Sequence, residues 1–259
     1  MDGNNVVPSA HVKWTRDAKN YKAIGLDMWG TVARIVRESD FWTEADVAGV
    51  VEPLLLVKSE LGLTNPAVLL DQEQINAILI HYWCTAYGKG DIKAFLEKLS
   101  EWLKIFGIEC TVTPGAVDRL EEITGQERKD FHLYSDVPAA LKALKAQGNT
   151  LVLMPNQSQF NSDKFFKTKG FGQYIDRAFW SYELGLEKPD PRYFRTVLKE
   201  LGIKPEEFLF VDDQPANLLA ARSLGINVVR IERESRIFSK KLSATVKDIP
   251  VIRTLTELV

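Results

Sequence analysis

The chain is poor in the residues that mark several classes of protein. Its two cysteines, Cys84 and Cys110, lie far apart in 259 residues. Two distant thiols make neither a disulfide framework nor a zinc spacing, and they suit a reduced compartment with both sulfurs packed as small apolar groups. The three histidines, His11, His81 and His132, show no metal spacing and read as surface or packing residues. No apolar run reaches the ~18 residues of a membrane span. The N-terminal stretch is polar and broken by Pro8, so it lacks the apolar core of a secretion signal. A formal net charge of −2 with no long basic run argues against a dedicated nucleic-acid surface. There is no internal repeat and no low-complexity tract. These absences point to a soluble, cytoplasmic protein with no membrane and no nucleic-acid partner. Nothing in the sequence bears on oligomeric state.

What is present is ordinary for a globular chain: 45% hydrophobic and 26% charged residues. The length accommodates a core domain with a second domain inserted into it. Residues 1–20 read as an extension. Ala23 to Leu26 is a short apolar run, the pattern of a buried strand. From residue 33 to 131 the spacing turns helical, with stretches at Glu44 to Leu61, Asp71 to Tyr87 and Asp91 to Phe106, and no strand signal between them. Trp83, Phe95, Leu99, Trp102 and Phe106 fall at helical intervals and read as packing.

Beyond residue 131 strands and helices alternate. Ser135 is placed to cap a helix with Pro138 in its first turn, ending at Gly148. Thr150 to Met154 is a strand, followed by the turn Pro155-Asn156-Gln157-Ser158. Asn161 or Ser162 can cap a short helix. Arg177 to Trp180, Phe208 to Val211 and Asn227 to Ile231 read as strands. Pro191 to Leu201 and Pro215 to Leu224 read as helices. Such alternation predicts an α/β fold, a doubly wound parallel sheet with right-handed crossovers. Residues 21–32 and 132–259 would form that core, and 33–131 a helical insertion. Asp27, Asn156 and Asp212-Asp213 then lie just past strand ends, on one edge of the sheet, where such folds hold ligands.

Each of these residues has an ordinary reading beside the functional one. Asp27 could be a turn former or a helix cap. It could also head an active-site loop in which Gly30 lets the backbone approach a substrate and Thr31 donates to an anion. Lys188, before Pro189, could be an exposed lysine or a cation set against a carboxylate and an anionic substrate. Asp213 could cap the helix near Pro215. Alternatively, Asp212 and Asp213 together could help hold Mg²⁺, which prefers a few carboxylates plus water, with Asn217 steadying the loop.

Four ordered segments decide between these readings. They are Asp27-Met28-Trp29-Gly30-Thr31, the strand and turn at Asn156, Lys188-Pro189-Asp190-Pro191, and Phe210-Val211-Asp212-Asp213-Gln214-Pro215-Ala216-Asn217 running on to Gly225. In order and spacing the chain resembles the haloacid dehalogenase superfamily, most of whose members are phosphatases. The resemblance implies a Rossmann-like core with a helical cap of the first type over the site. It makes Asp27 the nucleophile, Lys188 the group that stabilises it, and Thr31 and Asn156 the residues that orient the substrate. Mg²⁺ would be held by Asp27, Asp212, Asp213 and the backbone carbonyl of Trp29. The substrate would be a small molecule, an organic phosphate or small organic acid.

Two positions depart from the family pattern. Its phosphatases usually carry a second Asp two residues after the nucleophile as general acid; here it is Trp29, beside the substrate. The residue before Asn156 is usually Ser or Thr; here it is Pro155, and Ser158 is a displaced candidate. An aromatic residue at position 29 resembles the superfamily's 2-haloacid dehalogenases, which need no metal. Retention of both Asp212 and Asp213 resembles the magnesium-dependent phosphatases, some of which also lack the second Asp. The expected activity is hydrolysis of a phosphomonoester or acyl phosphate through an aspartyl-phosphate. Haloacid hydrolysis, and a binding role on a weakened enzyme fold, are the alternatives. Lys58 reads as an exposed helical lysine, with a Schiff-base role as the rarer option.

Overall fold

The computed structural model describes residues 18–35, 53–65, 70–86, 91–160, 170–233 and 248–259. The capped helix expected at Asn161 or Ser162, the first half of the stretch from Glu44 to Leu61, and His11 lie outside these residues.

Strand β1 (Ala23–Leu26) is buried along its whole length. Parallel neighbours flank it: β4 (Thr150–Leu153) on one side and β6 (Phe208–Asp212) on the other. With β5 (Arg177–Ala178), β7 (Asn227–Ile231) and β8 (Val251–Ile252) they form a six-stranded parallel sheet of order β5-β4-β1-β6-β7-β8. The two-residue periodicity of a strand splits the sheet's side chains between two cores. Ile24, Leu26, Leu153, Leu209 and Val211 pack under helix α5 (Val137–Ala146). Val152, Phe208, Phe210 and Val228 pack under α7 (Pro191–Leu201) and α8 (Pro215–Arg222). This is the expected doubly wound fold, with both faces covered by helices. At Gly25 a Cβ would come within 2.5 Å of Met154 Sδ and Phe208 Cζ, so glycine is required for these layers to close.

The chain leaves the sheet after β1 and returns before α5. Between these points lie α1 (Pro53–Leu56), α2 (Gln72–Thr85), α3 (Ile92–Leu103) and α4 (Pro114–Asp130). Asp71, Asp91 and Thr113 cap the last three through backbone N–H groups, each satisfying a donor the helix cannot. Their apolar faces, including Leu79, Trp83, Phe95, Leu99 and Leu120, make a cluster separate from the two sheet cores. Phe160, from the stretch after β4, packs against it, with ring centroids 5.8 Å from Trp83 and 5.0 Å from Phe95.

Several expectations need correction. The helical insertion is bounded by strands: β2 (Ala33–Ile35) pairs antiparallel with β3 (Phe131–Leu133) as a ribbon at its two junctions. Three-residue strands are too short to display a period. Helix α4 was not anticipated, because its apolar positions sit in a polar string. Ser135 caps nothing: α5 begins at Val137, and Asp136 is at its N-cap position without a side-chain cap bond. The strand from Arg177 ends at Ala178 rather than Trp180. The last residues of the expected extension are anchored, since Asn149 Nδ2 donates to the carbonyls of Ala18 (2.9 Å) and Tyr21 (2.8 Å). Among the described residues, no helix is long and apolar enough to cross a membrane.

Candidate active site

Because Leu26 is in register with both Leu153 and Val211, the residues after them emerge side by side. Asp27 leaves the end of β1, Asn156 follows β4, and Asp212 ends β6. The chain order diverges on either side of β1, which makes this edge the topological switch point.

Lys188 comes from the turn before α7 and is almost wholly buried. Its Nζ donates to Asp27 Oδ1 at 2.6 Å and to Asp212 Oδ2 at 2.8 Å, and it lies 5.2 Å from the centroid of the Phe210 ring. Asp212 also accepts from Asn217 Nδ2 (3.0 Å) and the backbone N–H of Gln214 (2.7 Å). Gln214 Nε2 donates to Asp213 Oδ2 at 3.0 Å. Burial raises the Asp27 carboxyl from 3.8 to about 6, against the attraction of Lys188 and with repulsion from Asp212 adding to the rise. Burial works against the Lys188 charge, but Asp212 and Asp27 outweigh it and hold the ammonium more firmly than usual.

The β1 loop folds back on itself. Met28 C=O accepts from Val32 N and Ala33 N, and Gly30 N donates to Ala33 O. Gly30 has φ +77°, and a Cβ there would lie 2.7 Å from Asp213 Oδ2. Glycine thus lets the β6 carboxylate press against the β1 loop. Carboxylate oxygens of Asp27, Asp212 and Asp213 lie within 4.8 Å of one another. Among the described residues, Lys188 brings an ammonium to two of these carboxylates, Asp27 and Asp212. A compact set of hard oxygen donors suits a cation of the Mg²⁺ class.

Asn156 faces the lysine rather than standing free. Its Nδ2 donates to Lys188 C=O (2.7 Å) and its Oδ1 accepts from Lys188 N (2.9 Å), locking the turn that carries the ammonium. Thr31 is fully buried, with a hydroxyl that has no hydrogen-bond partner among the described residues. Ser158 likewise buries an unpartnered hydroxyl. Trp29 is half-buried. It packs edge-on against Phe131, with centroids 5.6 Å apart, and its Nε1 donates to Gln157 Oε1 at 2.7 Å.

Sequence reasoning missed four contributors. Gln157 receives the Trp29 indole. Ser181, in the short helix α6 (Ser181–Leu184), accepts from Gln157 N (2.8 Å) and donates to Cys84 C=O on α2 (2.6 Å). Glu187 Oε1 meets His81 Nδ1, also on α2, at 2.8 Å. Arg233 donates to Thr31 C=O from Nε (3.0 Å) and Nη2 (2.7 Å) and to Asp136 Oδ1 from Nη1 (2.6 Å), so it fixes the end of the β1 loop. Gln157 sits in the turn at Asn156 without a signal of its own, and Ser181, Glu187 and Arg233 lie outside the four segments. The oddity of Trp29 is the one sequence signal that could have prompted a search for its partner. Lys58 sits in a turn after α1, where Gln72 Oε1 (2.7 Å) and Asn76 Oδ1 (2.6 Å) hold its Nζ.

This fold and site define a class. Residues 21–225 match the haloacid dehalogenase-like hydrolases, and the chain belongs to that family. It is 28% identical to the phosphoserine phosphatase of Thermus thermophilus over 171 residues, 60% of this chain and 69% of that protein. It is 28% identical to (S)-2-haloacid dehalogenase 4A of Burkholderia cepacia over 106 residues, 41% of this chain and 46% of that protein. A solved structure of a predicted phosphoglycolate phosphatase from Haemophilus somnus superposes with a TM-score of 0.55 at 19% identity, over 92% of this chain and 96% of that one. A family enzyme of Bacteroides thetaiotaomicron, solved with magnesium and inorganic phosphate, superposes with a TM-score of 0.52 at 18% identity, over 82% and 94% of the two chains. At such identities the structural likeness speaks for the fold.

Proposed function

We propose that this hydrolase is a Mg²⁺-dependent phosphatase of a small phosphorylated metabolite, working through an aspartyl-phosphate on Asp27. The observation that carries the reading is the convergence of Asp212 and Asp213 on Asp27, with Lys188 paired to Asp27 and Asp212. A cluster this acidic and this buried is costly unless a cation completes it. Attack on carbon with loss of halide has no evident use for two further carboxylates. The phosphatase relative is also matched over a larger share of its length than the dehalogenase.

In this reading Asp27 attacks phosphorus and Lys188 steadies its charge before and during the transfer. Asn156 positions Lys188 through the backbone and keeps one amide hydrogen for a substrate oxygen. The buried Thr31 hydroxyl offers another donor. Asp27, Asp212, Asp213 and the Trp29 carbonyl would hold Mg²⁺, which when bound would supply positive charge to the phosphoryl oxygens. The α2 contacts with Ser181 and Glu187 support reading the helical insertion as a cap over this edge.

Trp29, which cannot transfer a proton, favours a second reading: a haloacid dehalogenase. A panel of phosphate esters and 2-haloacids, with and without Mg²⁺ and with Asp27→Asn as control, separates the two. Phosphate release that needs both Mg²⁺ and Asp27 is expected. Halide release without Mg²⁺ would replace this reading with the other.

A further inference from the structure

Moving a phosphoryl group from oxygen leaves a leaving-group oxygen that must accept a proton or depart as an anion. The groups collected around Asp27 determine whether it finds a donor. Lys188 holds its proton between two carboxylates, and Asp212 is committed to Lys188, Asn217 and the Gln214 backbone. Tyr193, buried beneath the site, donates its hydroxyl to Phe179 C=O. The side of the site between the β1 and β4 loops is closed by a neutral pair, Trp29 and Gln157. The indole N–H is spent on the Gln157 amide, whose backbone is in turn held by Ser181. Neither an indole nor an amide is an acid near neutral pH. Lys188, Asp212, Tyr193, Trp29 and Gln157 are thus committed to one another or to the backbone, and none of them is an acid set to protonate a departing oxygen.

Resting on the phosphatase reading, we propose that the enzyme is specific for phosphates whose leaving group departs as a stable anion, acyl phosphates above all, and that the Trp29–Gln157 pair sets this choice. In the first step a carboxylate oxygen of Asp27 bonds to phosphorus, the bond from phosphorus to the leaving oxygen breaks, and the carboxylate product leaves with that electron pair and no proton. In the second step water attacks the phosphorus of the aspartyl-phosphate. The bond from phosphorus to Asp27 breaks, the Asp27 carboxylate is regenerated, and both protons of the water leave on inorganic phosphate as its monoanion. No co-reactant is needed.

The test uses the whole chain with Mg²⁺ and four probes: acetyl phosphate, 2,4-dinitrophenyl phosphate, phenyl phosphate and glycerol 3-phosphate. Their leaving groups span from the carboxylic-acid range, near ~4, through phenol at ~10, to an alcohol. The expected result is a kcat/KM that falls at least ~10²-fold from the first two probes to phenyl phosphate and further to glycerol phosphate, the scale of an absent general acid. Trp29→Asp should narrow the ratio of dinitrophenyl to glycerol phosphate about tenfold or more. Should that variant fail to fold, the wild-type series decides alone. Comparable rates on all four probes would overturn the leaving-group proposal and leave the phosphatase reading standing. So would fast glycerol phosphate hydrolysis that His81→Gln abolishes, because the proton would then come from helix α2. Phosphate release from none of the four would overturn both.

Discussion

The two sides of the site are built from opposite materials. One side is ionic and drawn entirely from the sheet edge: Asp27, Lys188 and Asp212, with Asn156 and Asn217 fastening them. The other side is neutral and runs outward from Trp29 through Gln157 and Ser181 to the Cys84 carbonyl on the cap helix α2. On the ionic side Lys188 bridges Asp27 and Asp212, and Asp212 is held as well by Asn217 and the Gln214 backbone, the kind of fixing that preorganised electrostatics demand. The neutral side is a chain of uncharged hydrogen bonds worth about 1 kcal/mol each. Any separation of α2 from the sheet must break that chain while leaving the ionic side intact. Charge is thus anchored in the buried sheet edge, and cap position is read through uncharged hydrogen bonds.

The contrast is most severely tested at Lys188. Lys188→Met strands two buried carboxylates without a cation and should cost about 3–5 kcal/mol in denaturant unfolding without Mg²⁺. It should also lower hydrolytic turnover by ~10²-fold or more, as expected when a group aimed at developing charge is lost. A stability loss below about 1 kcal/mol would mean that the ionic side does not depend on its single ammonium.

Asp27 gives the next largest effect, with a sign opposite to intuition. Its carboxyl is raised to about 6 by burial, so the folded protein holds that proton more tightly than the unfolded chain does. Its contribution is therefore most favourable below about pH 4 and turns into a cost as pH rises through about 6. Asp27→Asn removes the cost. Without Mg²⁺ the variant should match wild type near pH 4 and exceed it by about 3 kcal/mol at pH 7, at 1.36 kcal/mol per pKa unit. Added Mg²⁺ should shrink or reverse the difference, since the amide is the poorer ligand. A difference independent of pH would show that burial of this carboxylate is already compensated.

On the neutral side, Ser181→Ala removes one hydroxyl that serves Gln157 N and Cys84 C=O. It leaves buried backbone groups unpaired, for an expected cost of about 1–3 kcal/mol. The effect on catalysis should fall on KM more than on kcat, because the change loosens the cap and spares the ionic groups. An equal loss in kcat alone would place Ser181 with the charged side.

The ionic side was legible in the sequence because strand ends in a parallel sheet must meet. An apolar run ending in Asp27 and another ending in Asp212 therefore predict their own proximity. The sheet was legible for the same reason, through its alternation with capped helices. The neutral side was not. Gln157 and Ser181 are ordinary residues in ordinary turns, and the link to Cys84 uses a backbone carbonyl that no side-chain pattern can announce. Arg233 was hidden likewise, since its main partner is the carbonyl of Thr31, which lies 202 positions away. The β2–β3 ribbon escaped notice because three residues cannot display a strand period. Asn156 was found, but its task of gripping the Lys188 backbone becomes visible only once the two loops are side by side.

The smallest expected effect is at the second contact between α2 and the sheet edge. His81 and Glu187 are 51% and 23% exposed, so His81→Gln should change stability by less than about 1 kcal/mol, and less still at high salt. Its value lies in combination. If the buried Ser181–Cys84 bond and the exposed His81–Glu187 contact hold α2 independently, the double variant should lose the sum of the single losses within about 0.5 kcal/mol. If both must open together when the cap lifts, the second substitution should cost almost nothing once the first is made. That shortfall from additivity would tie Glu187, and through it the turn carrying Lys188, to the same cap position that Gln157 and Trp29 report.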